Sequence, residues 1–241
     1  MSEISIRSTH SVKRLNSIVI IVDDDEGVRT ALANLFRSVG LEIQEFGSAS
    51  ELLRSSLPDV ARCMVLDIRL PGLSGLDLQN ELAKANIHIP IIFMTGHGDI
   101  PMTVRAMKGG AVDFLTKPFR DQDMLDSVMA AIERDRKHRE AAMATSDLLT
   151  RFRMLSERER DVFVLVAAGL MNKQIGVELG IAEITVKVHR GRLTKKMGAK
   201  SLADLVRMAE AIAIRYPERD QGKPEYNFPY TSRGRRVLLT E

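Results

Sequence analysis

The sequence predicts an α/β unit built on a five-stranded, doubly wound parallel sheet, joined by a helical linker to an all-α unit. Three observations carry this reading. Five short apolar runs alternate with helical patterns between residues 18 and 132, the strand-like runs then stop, and residues 155–213 show helical periodicity alone. Strands alternating with helices imply a parallel sheet covered on both faces. Right-handed crossovers leave few topologies, of which the flavodoxin-like order is the one expected.

Residues 18–22 are wholly apolar and β-branched, the composition of a strand buried on both faces. Residues 27–39 place Val28, Ala31, Leu32, Leu35 and Phe36 at helical spacing and end at Gly40. Residues 41–46 read as a second strand, and a helix opens near Ser50 with Ser48 or Ser50 as its cap. The third and fourth apolar runs, 64–66 and 89–94, flank a helix over 76–85. A helix near 102–108 and the Gly109-Gly110 pair precede a fifth strand, 112–116, and a helix from Asp121 closes the unit. Residues 131–149 turn charged and Ala-rich, as an extended or linking helix does. The expected organisation is a leader over 1–16, the α/β unit over 17–134, a linker helix over 135–150, a helical unit over 151–215 and a disordered tail over 216–241.

The net charge of +3 names no partner, but its distribution is uneven. Asp23, Asp24, Asp25 and Glu26 form one acidic run, whereas Lys187, Arg190, Arg192, Lys195, Lys196 and Lys200 crowd the second unit. Such a basic run suits either nucleic acid or a solvated helix face. Cys63 is the single cysteine, which excludes an intrachain disulfide and a multi-cysteine zinc site, and its apolar neighbours make it a buried hydrophobe. No apolar stretch approaches the ~20 residues of a helical membrane span. The N-terminus lacks the apolar core of a signal peptide, so a cytoplasmic location without membrane contact is expected.

In an open parallel sheet, ligands bind beyond the carboxyl ends of the strands. There the sequence places Asp23 and Asp24 after the first run, Asp67 after the third, Thr95 after the fourth and Lys117-Pro118 after the fifth. Clustered carboxylates repel one another unless a cation intervenes, and a hard divalent cation, Mg²⁺ above all, relieves the repulsion. One neutralised carboxylate then becomes a nucleophile toward phosphorus, with the lysine and hydroxyl holding the phosphoryl oxygens. Singly, each residue reads more readily as a cap or turn residue; their joint occurrence at successive strand ends points to one crevice.

Val22-Asp23-Asp24, Asp67 with Arg69-Leu70-Pro71-Gly72, Thr95-Gly96-His97, and Gly110-Ala111 through Lys117-Pro118-Phe119 resemble the receiver domains of bacterial response regulators, across about residues 18–132. The resemblance implies that Asp67 is the phosphoacceptor, charged by a sensor histidine kinase. Asp23 (through water), Asp24, Asp67 and the backbone carbonyl of Arg69 form the implied Mg²⁺ set. Thr95 and Lys117 contact the phosphoryl group, the Lys117–Pro118 bond is cis, and Phe114 occupies the aromatic switch position coupled to Thr95. Arg69 and His97 fall at variable positions that bear on phosphate lifetime. A receiver catalyses only its own modification, so no enzyme acting on a separate substrate is implied.

In the second unit Ser156 and Glu159 have capping-box spacing. Val162, Leu165, Val166 and Leu170 supply an apolar face; Asn172 is read as the cap of a short helix ended by Gly180. In the next helix, 183–197, Val186, Leu193 and Met197 face inward and Lys187, Arg190 and Lys195 outward, with Thr185 near its start. A short helix, a tight turn and a basic helix have the form of a helix-turn-helix, although periodicity alone equally allows an ordinary helical bundle. Leu155-Ser156-Glu157-Arg158-Glu159, Asn172-Lys173-Gln174-Ile175 and Thr185-Val186-Lys187-Val188-His189-Arg190 resemble the LuxR-type helix-turn-helix, and the whole chain is similar to FixJ-like members of the NarL/FixJ response regulators. This implies a four-helix output domain that binds double-stranded promoter DNA as a homodimer formed on phosphorylation. Thr185, Lys187, Val188, Arg190 and Arg192 are the implied DNA contacts. Gly191 stands where some relatives carry a larger or basic residue, which leaves its position without a side chain to read a base. Ala182-Glu183 replaces a Ser/Thr-containing start, which weakens the cap and sets an anion near DNA. The implied function is phosphorylation-controlled regulation of transcription. Two rivals are a receiver that governs protein–protein contact without specific DNA binding, and a metal-dependent phosphotransfer enzyme, for which no second acid–base group is present.

Overall fold

A computed structural model describes residues 17–96 and 100–212. The expected leader, the tail and His97 lie outside the described residues. The chain divides into two compact units, Met1–Glu140 and Ala141–Glu241.

The first unit runs β1 (Ser17–Val22), α1 (Glu26–Ser38), β2 (Glu42–Phe46), α2 (Ala49–Arg54), β3 (Ala61–Asp67), α3 (Gly75–Lys84), β4 (Ile91–Thr95), α4 (Ile100–Lys108) and β5 (Asp113–Thr116), and includes the first part of α5 (Asp121–Arg153). The sheet is five-stranded and parallel in the order β2-β1-β3-β4-β5. Alternation along the strands divides the core in two. Ile18, Ile20, Val22, Met64 and Leu66 pack with α2, α3 and α4, and Val19, Ile21, Cys63 and Val65 pack with Leu32 and Phe36 of α1 and Met124 and Val128 of α5. The register keeps the carboxyl ends level: Val22 pairs with Phe46 and Leu66, Asp67 with Met94, and Thr95 with Thr116. Residues that follow the strands therefore emerge at one edge.

Two strand boundaries differ from the apolar runs. β3 begins at Ala61 because Ser17 and Ile18 of β1 pair with Ala61 and Arg62; the Arg62 amide also donates to Asp135 Oδ2 at 2.9 Å. Asp135, 3% exposed, accepts Arg139 Nε at 2.6 Å as well. β4 begins at Ile91, not 89, since Pro90 has no N–H to give the ladder, although its carbonyl accepts the Met64 amide.

The second unit contains the last part of α5, then α6 (Glu157–Ala167), α7 (Asn172–Leu179), α8 (Glu183–Met197) and α9 (Leu202–Ala211). Leu148, Leu149 and Phe152 of α5 pack into its core. The capping box forms as expected, with Ser156 Oγ accepting the Glu159 amide and Glu159 Oε2 accepting the Ser156 amide. α6 departs from a one-faced helix: Val162, Phe163, Val164, Leu165 and Val166 are all buried, because α7, α8 and α9 pack around it. The expectation that Asn172 caps α7 is corrected. Met171 holds the N-cap position and Asn172 is the first helical residue, its Oδ1 turned to accept Arg190 Nη1 at 2.9 Å. α7 ends on Gly180 in the left-handed region, φ 64°. Val186, Leu193 and Met197 face inward from α8 as expected.

Glu159 also accepts Lys196 Nζ at 2.6 Å. Burial pushes its carboxyl upward, but Lys196 and the Ser156 amide outweigh burial and hold it below the usual glutamate range. A depressed carboxyl contributes stability that is present above its unfolded value and is lost as pH falls through the folded one. Glu159→Gln is expected to lower the stability of this unit by about 1–3 kcal/mol at neutral pH. The deficit should shrink in thermal melts taken toward pH 3, where wild type loses the same charge.

Candidate functional sites

The loop after β1 sorts three aspartates into different tasks. Asp25 is the α1 N-cap, its Oδ1 accepting the amides of Gly27 and Val28. Asp23 is buried and Asp24 exposed. Arg29 Nη1 donates to the carbonyls of both Asp23 and Asp24, at 2.7 and 3.1 Å, and so pins the loop. Lys117, delivered from beyond β5 next to a cis Lys117–Pro118 bond, places Nζ 2.7 Å from Asp23 Oδ2 and 2.8 Å from Asp67 Oδ2. The second oxygen of each carboxylate accepts a backbone amide, Asp25 N at 2.9 Å for Asp23 and Arg69 N at 3.0 Å for Asp67. Burial raises the Asp23 carboxyl above its ordinary value against the opposing pull of Lys117 and the Asp25 amide. For Lys117, burial disfavours the charged form, but its hydrogen bonds to Asp23 and Asp67 win and raise its pKa.

Oxygens of Asp23, Asp24 and Asp67 all lie within 4.8 Å of one another. Three carboxylates with hard oxygen donors on so small a span fit a divalent cation of the Mg²⁺ kind. Thr95 is buried at the end of β4 and Phe114, half-buried on β5, packs against the core beneath α4. Arg69 is exposed and lines, with Asp24, Ser74, Asp77, Met102 and Arg105, a cleft of about 700 Å³ beside the carboxylates. All the residues anticipated at the strand ends thus meet at one edge.

Arg29 and Arg105 escaped the sequence reading, and Gly75, which belongs to the receiver-like motif after Asp67, was given no role there. Arg29 carries no signal beyond its place on α1, and Arg105 becomes a neighbour only once α4 is docked. Gly75 is readable only in three dimensions: a Cβ there would lie 2.3 Å from the backbone oxygen of Asp67 and 3.1 Å from Ile68 Cα. The Gly75 amide donates to the Ile68 carbonyl at 3.0 Å, which holds the start of α3 against the end of β3. Gly75→Ala is expected to displace Asp67 and cost about 1–3 kcal/mol, seen as a lowered melting midpoint together with slower labelling by a phosphodonor.

On α8, Lys187, Val188 and Arg192 are exposed, while Thr185 is half-buried. Arg190 is half-buried and held by Asn172, which distinguishes it from the freely presented Lys187. Ala182 at the N-cap gives no side-chain hydrogen bond, as its chemistry requires.

A level set of strand-end carboxylates with a shared lysine, followed by a helix-turn-helix, defines a signal receiver joined to a DNA-binding unit. Family models agree: the response regulator receiver domain matches residues 19–129, and the luxR family of bacterial regulatory proteins matches residues 153–209. Nodulation protein W of Bradyrhizobium diazoefficiens is 64% identical over 205 residues, 85% of this chain and 90% of its own length. Transcriptional regulatory protein FixJ of Rhizobium meliloti is 46% identical over 198 residues, 80% of this chain and 95% of its own. A solved structure of the response regulator StyR matches with a TM-score of 0.73 and 48% identity, over 81% of this chain and 98% of that one. The chain belongs to the response-regulator family, as a FixJ-like transcriptional regulator with a LuxR-type DNA-binding domain. No helix among the described residues is long and apolar enough to cross a membrane.

Proposed function

We propose that Asp67 accepts a phosphoryl group from the phosphohistidine of a sensor kinase, and that the modified protein dimerises and binds promoter DNA from the cytoplasm. The observation that supports this most is the single ammonium of Lys117 shared by Asp23 and Asp67 at 2.7 and 2.8 Å. It sets the Asp67 carboxyl, oriented by the Arg69 amide, beside an ammonium that turns to the incoming phosphoryl oxygens. One Asp67 carboxylate oxygen attacks phosphorus, the P–N bond to the donor imidazole breaks, and the imidazole leaves with that electron pair. Mg²⁺ held by Asp23, Asp24, Asp67 and the Arg69 carbonyl would neutralise the carboxylates and stabilise phosphoryl charge. Thr95 hydrogen-bonds the new phosphate, and Phe114 repacks into the space its movement leaves. The protein turns over no separate substrate in this scheme.

The surface that Phe114 borders supports dimerisation. Ile100, Val104 and Met107 of α4, spaced by four and three residues, are 81, 44 and 45% exposed, an apolar stripe suited to a second receiver. In this scheme the receiver spans 17–134, the linking part of α5 135–150 and the DNA-binding domain 151–215. Two copies then set their α8 helices into successive major grooves about one turn apart, with Thr185, Lys187, Val188, Arg190 and Arg192 nearest the DNA.

The test is intact-mass analysis after incubation with acetyl phosphate. A single hydroxylamine-labile phosphoryl adduct that requires Mg²⁺, with a monomer-to-dimer shift in light scattering, is expected. An adduct that forms equally after chelation, or that resists hydroxylamine, contradicts the assignment.

A further inference from the structure

α8 presents a feature that neither its fold nor its charge explains. Gly191 sits in the interior of a 15-residue helix, where glycine is among the poorest helix formers. Packing does not demand it: a Cβ built there would meet no atom within 4 Å, unlike Gly176 in α7, whose Cβ would strike the Ile181 carbonyl at 2.8 Å. The fold gains nothing from the missing side chain.

The position of Gly191 on the helix suggests what does gain. At 3.6 residues per turn, Val186, Leu193 and Met197 mark the inward side. Ile184, Val188, Gly191 and Lys195, spaced by four, three and four residues, run along the opposite side. Ile184 is 67% and Val188 46% exposed, and Lys187 and Arg192, both exposed, flank them on either side. The first half of the outward strip is therefore apolar and falls away to nothing at Gly191, with Lys195 beyond it and Lys187 and Arg192 at its margins. Guanine is read by bidentate Arg or Lys and adenine by Asn or Gln, whereas the thymine C5-methyl is met by apolar side chains.

We propose that Ile184 and Val188 read thymine methyl groups in the major groove, and that Gly191 is side-chain-free so that α8 seats deeply enough for them to reach. Lys187 and Arg192 straddle the strip onto the phosphates. This rests on the assignment of α8 as the DNA-reading helix.

The experiment uses the full chain with acetyl phosphate and Mg²⁺. Duplexes are selected from a randomised pool by wild type, then remade with deoxyuracil for each thymine in turn, which removes the methyl alone. At one or more positions per half-site wild type should bind about three- to fivefold more weakly, the value of one buried methyl. Val188→Ala or Ile184→Ala should abolish that sensitivity. Gly191→Ala should raise the melting midpoint by about 2–6 °C yet bind the selected duplex at least about fivefold more weakly. Indifference to every thymine methyl, or undiminished binding by Gly191→Ala, overturns the proposal. Lys187→Ala separates the two levels of inference: it should weaken binding to all duplexes and reduce the salt slope by about one. If it does so while thymine sensitivity is absent, only the thymine reading falls; if it does not, α8 is not the DNA face and both fall.

Discussion

Asp67→Asn is expected to eliminate phosphoryl acceptance while leaving the fold in place. Asn is nearly isosteric, and its carbonyl oxygen still accepts the Arg69 amide that Asp67 Oδ1 accepts now at 3.0 Å. The substitution removes the nucleophilic carboxylate and one of the two anions that hold Lys117. Lys117 keeps Asp23 at 2.7 Å and retains partial access to solvent, so the loss of the second pair costs only about 1–2 kcal/mol. The measurement is intact mass with acetyl phosphate and Mg²⁺, together with a melting curve. No adduct on a cooperatively folded variant is the expected outcome, and labelling of Asp67→Asn at the wild-type level would move the acceptor elsewhere.

Phe163→Ala is expected to unfold the second unit. The Phe163 side chain is fully buried and meets the Phe152 ring at 5.5 Å between centroids, tilted by 59°. Truncating a core phenylalanine costs about 3–5 kcal/mol, a large share of the 5–15 kcal/mol that keeps a whole domain folded. The receiver has its own two-layered core on either side of the sheet and none of its phosphoacceptor residues lies in the second unit. The variant should therefore lose DNA binding and part of its helical signal while still taking up phosphoryl. DNA binding at wild-type strength, or loss of labelling as well, would contradict this division of labour.

The placement of the strand-end carboxylates, hydroxyl and lysine was legible because topology does the work. Once five parallel strands are recognised, whatever follows each strand shares one edge, and Asp23, Asp67, Thr95 and Lys117 are found there. The inward triad Val186, Leu193 and Met197 was legible for the same reason, one period serving one face. What escaped depends on contacts between elements. Phe163 and Val164 lie outside the expected stripe of α6 because a helix surrounded by three others is buried on every side, which no single-face pattern encodes. The start of β3 was hidden because Arg62 is polar in sequence and is held in the ladder by Asp135, 73 residues away. Asn172 satisfied the chemistry of a cap yet is taken by Arg190 of α8, and the close approach of Gly75 to Asp67 exists only after α3 docks.

Phosphorylation of Asp67 is expected to control DNA binding by α8, and an equilibrium titration reads that control out. A duplex selected by wild type is titrated at fixed salt with wild type and Asp67→Asn, each with Mg²⁺, with and without acetyl phosphate. The phosphodonor is expected to tighten binding by wild type about tenfold or more, the equivalent of at least ~1.4 kcal/mol of coupling, and to leave Asp67→Asn unchanged. Equal tightening of both proteins, or none in either, would contradict it.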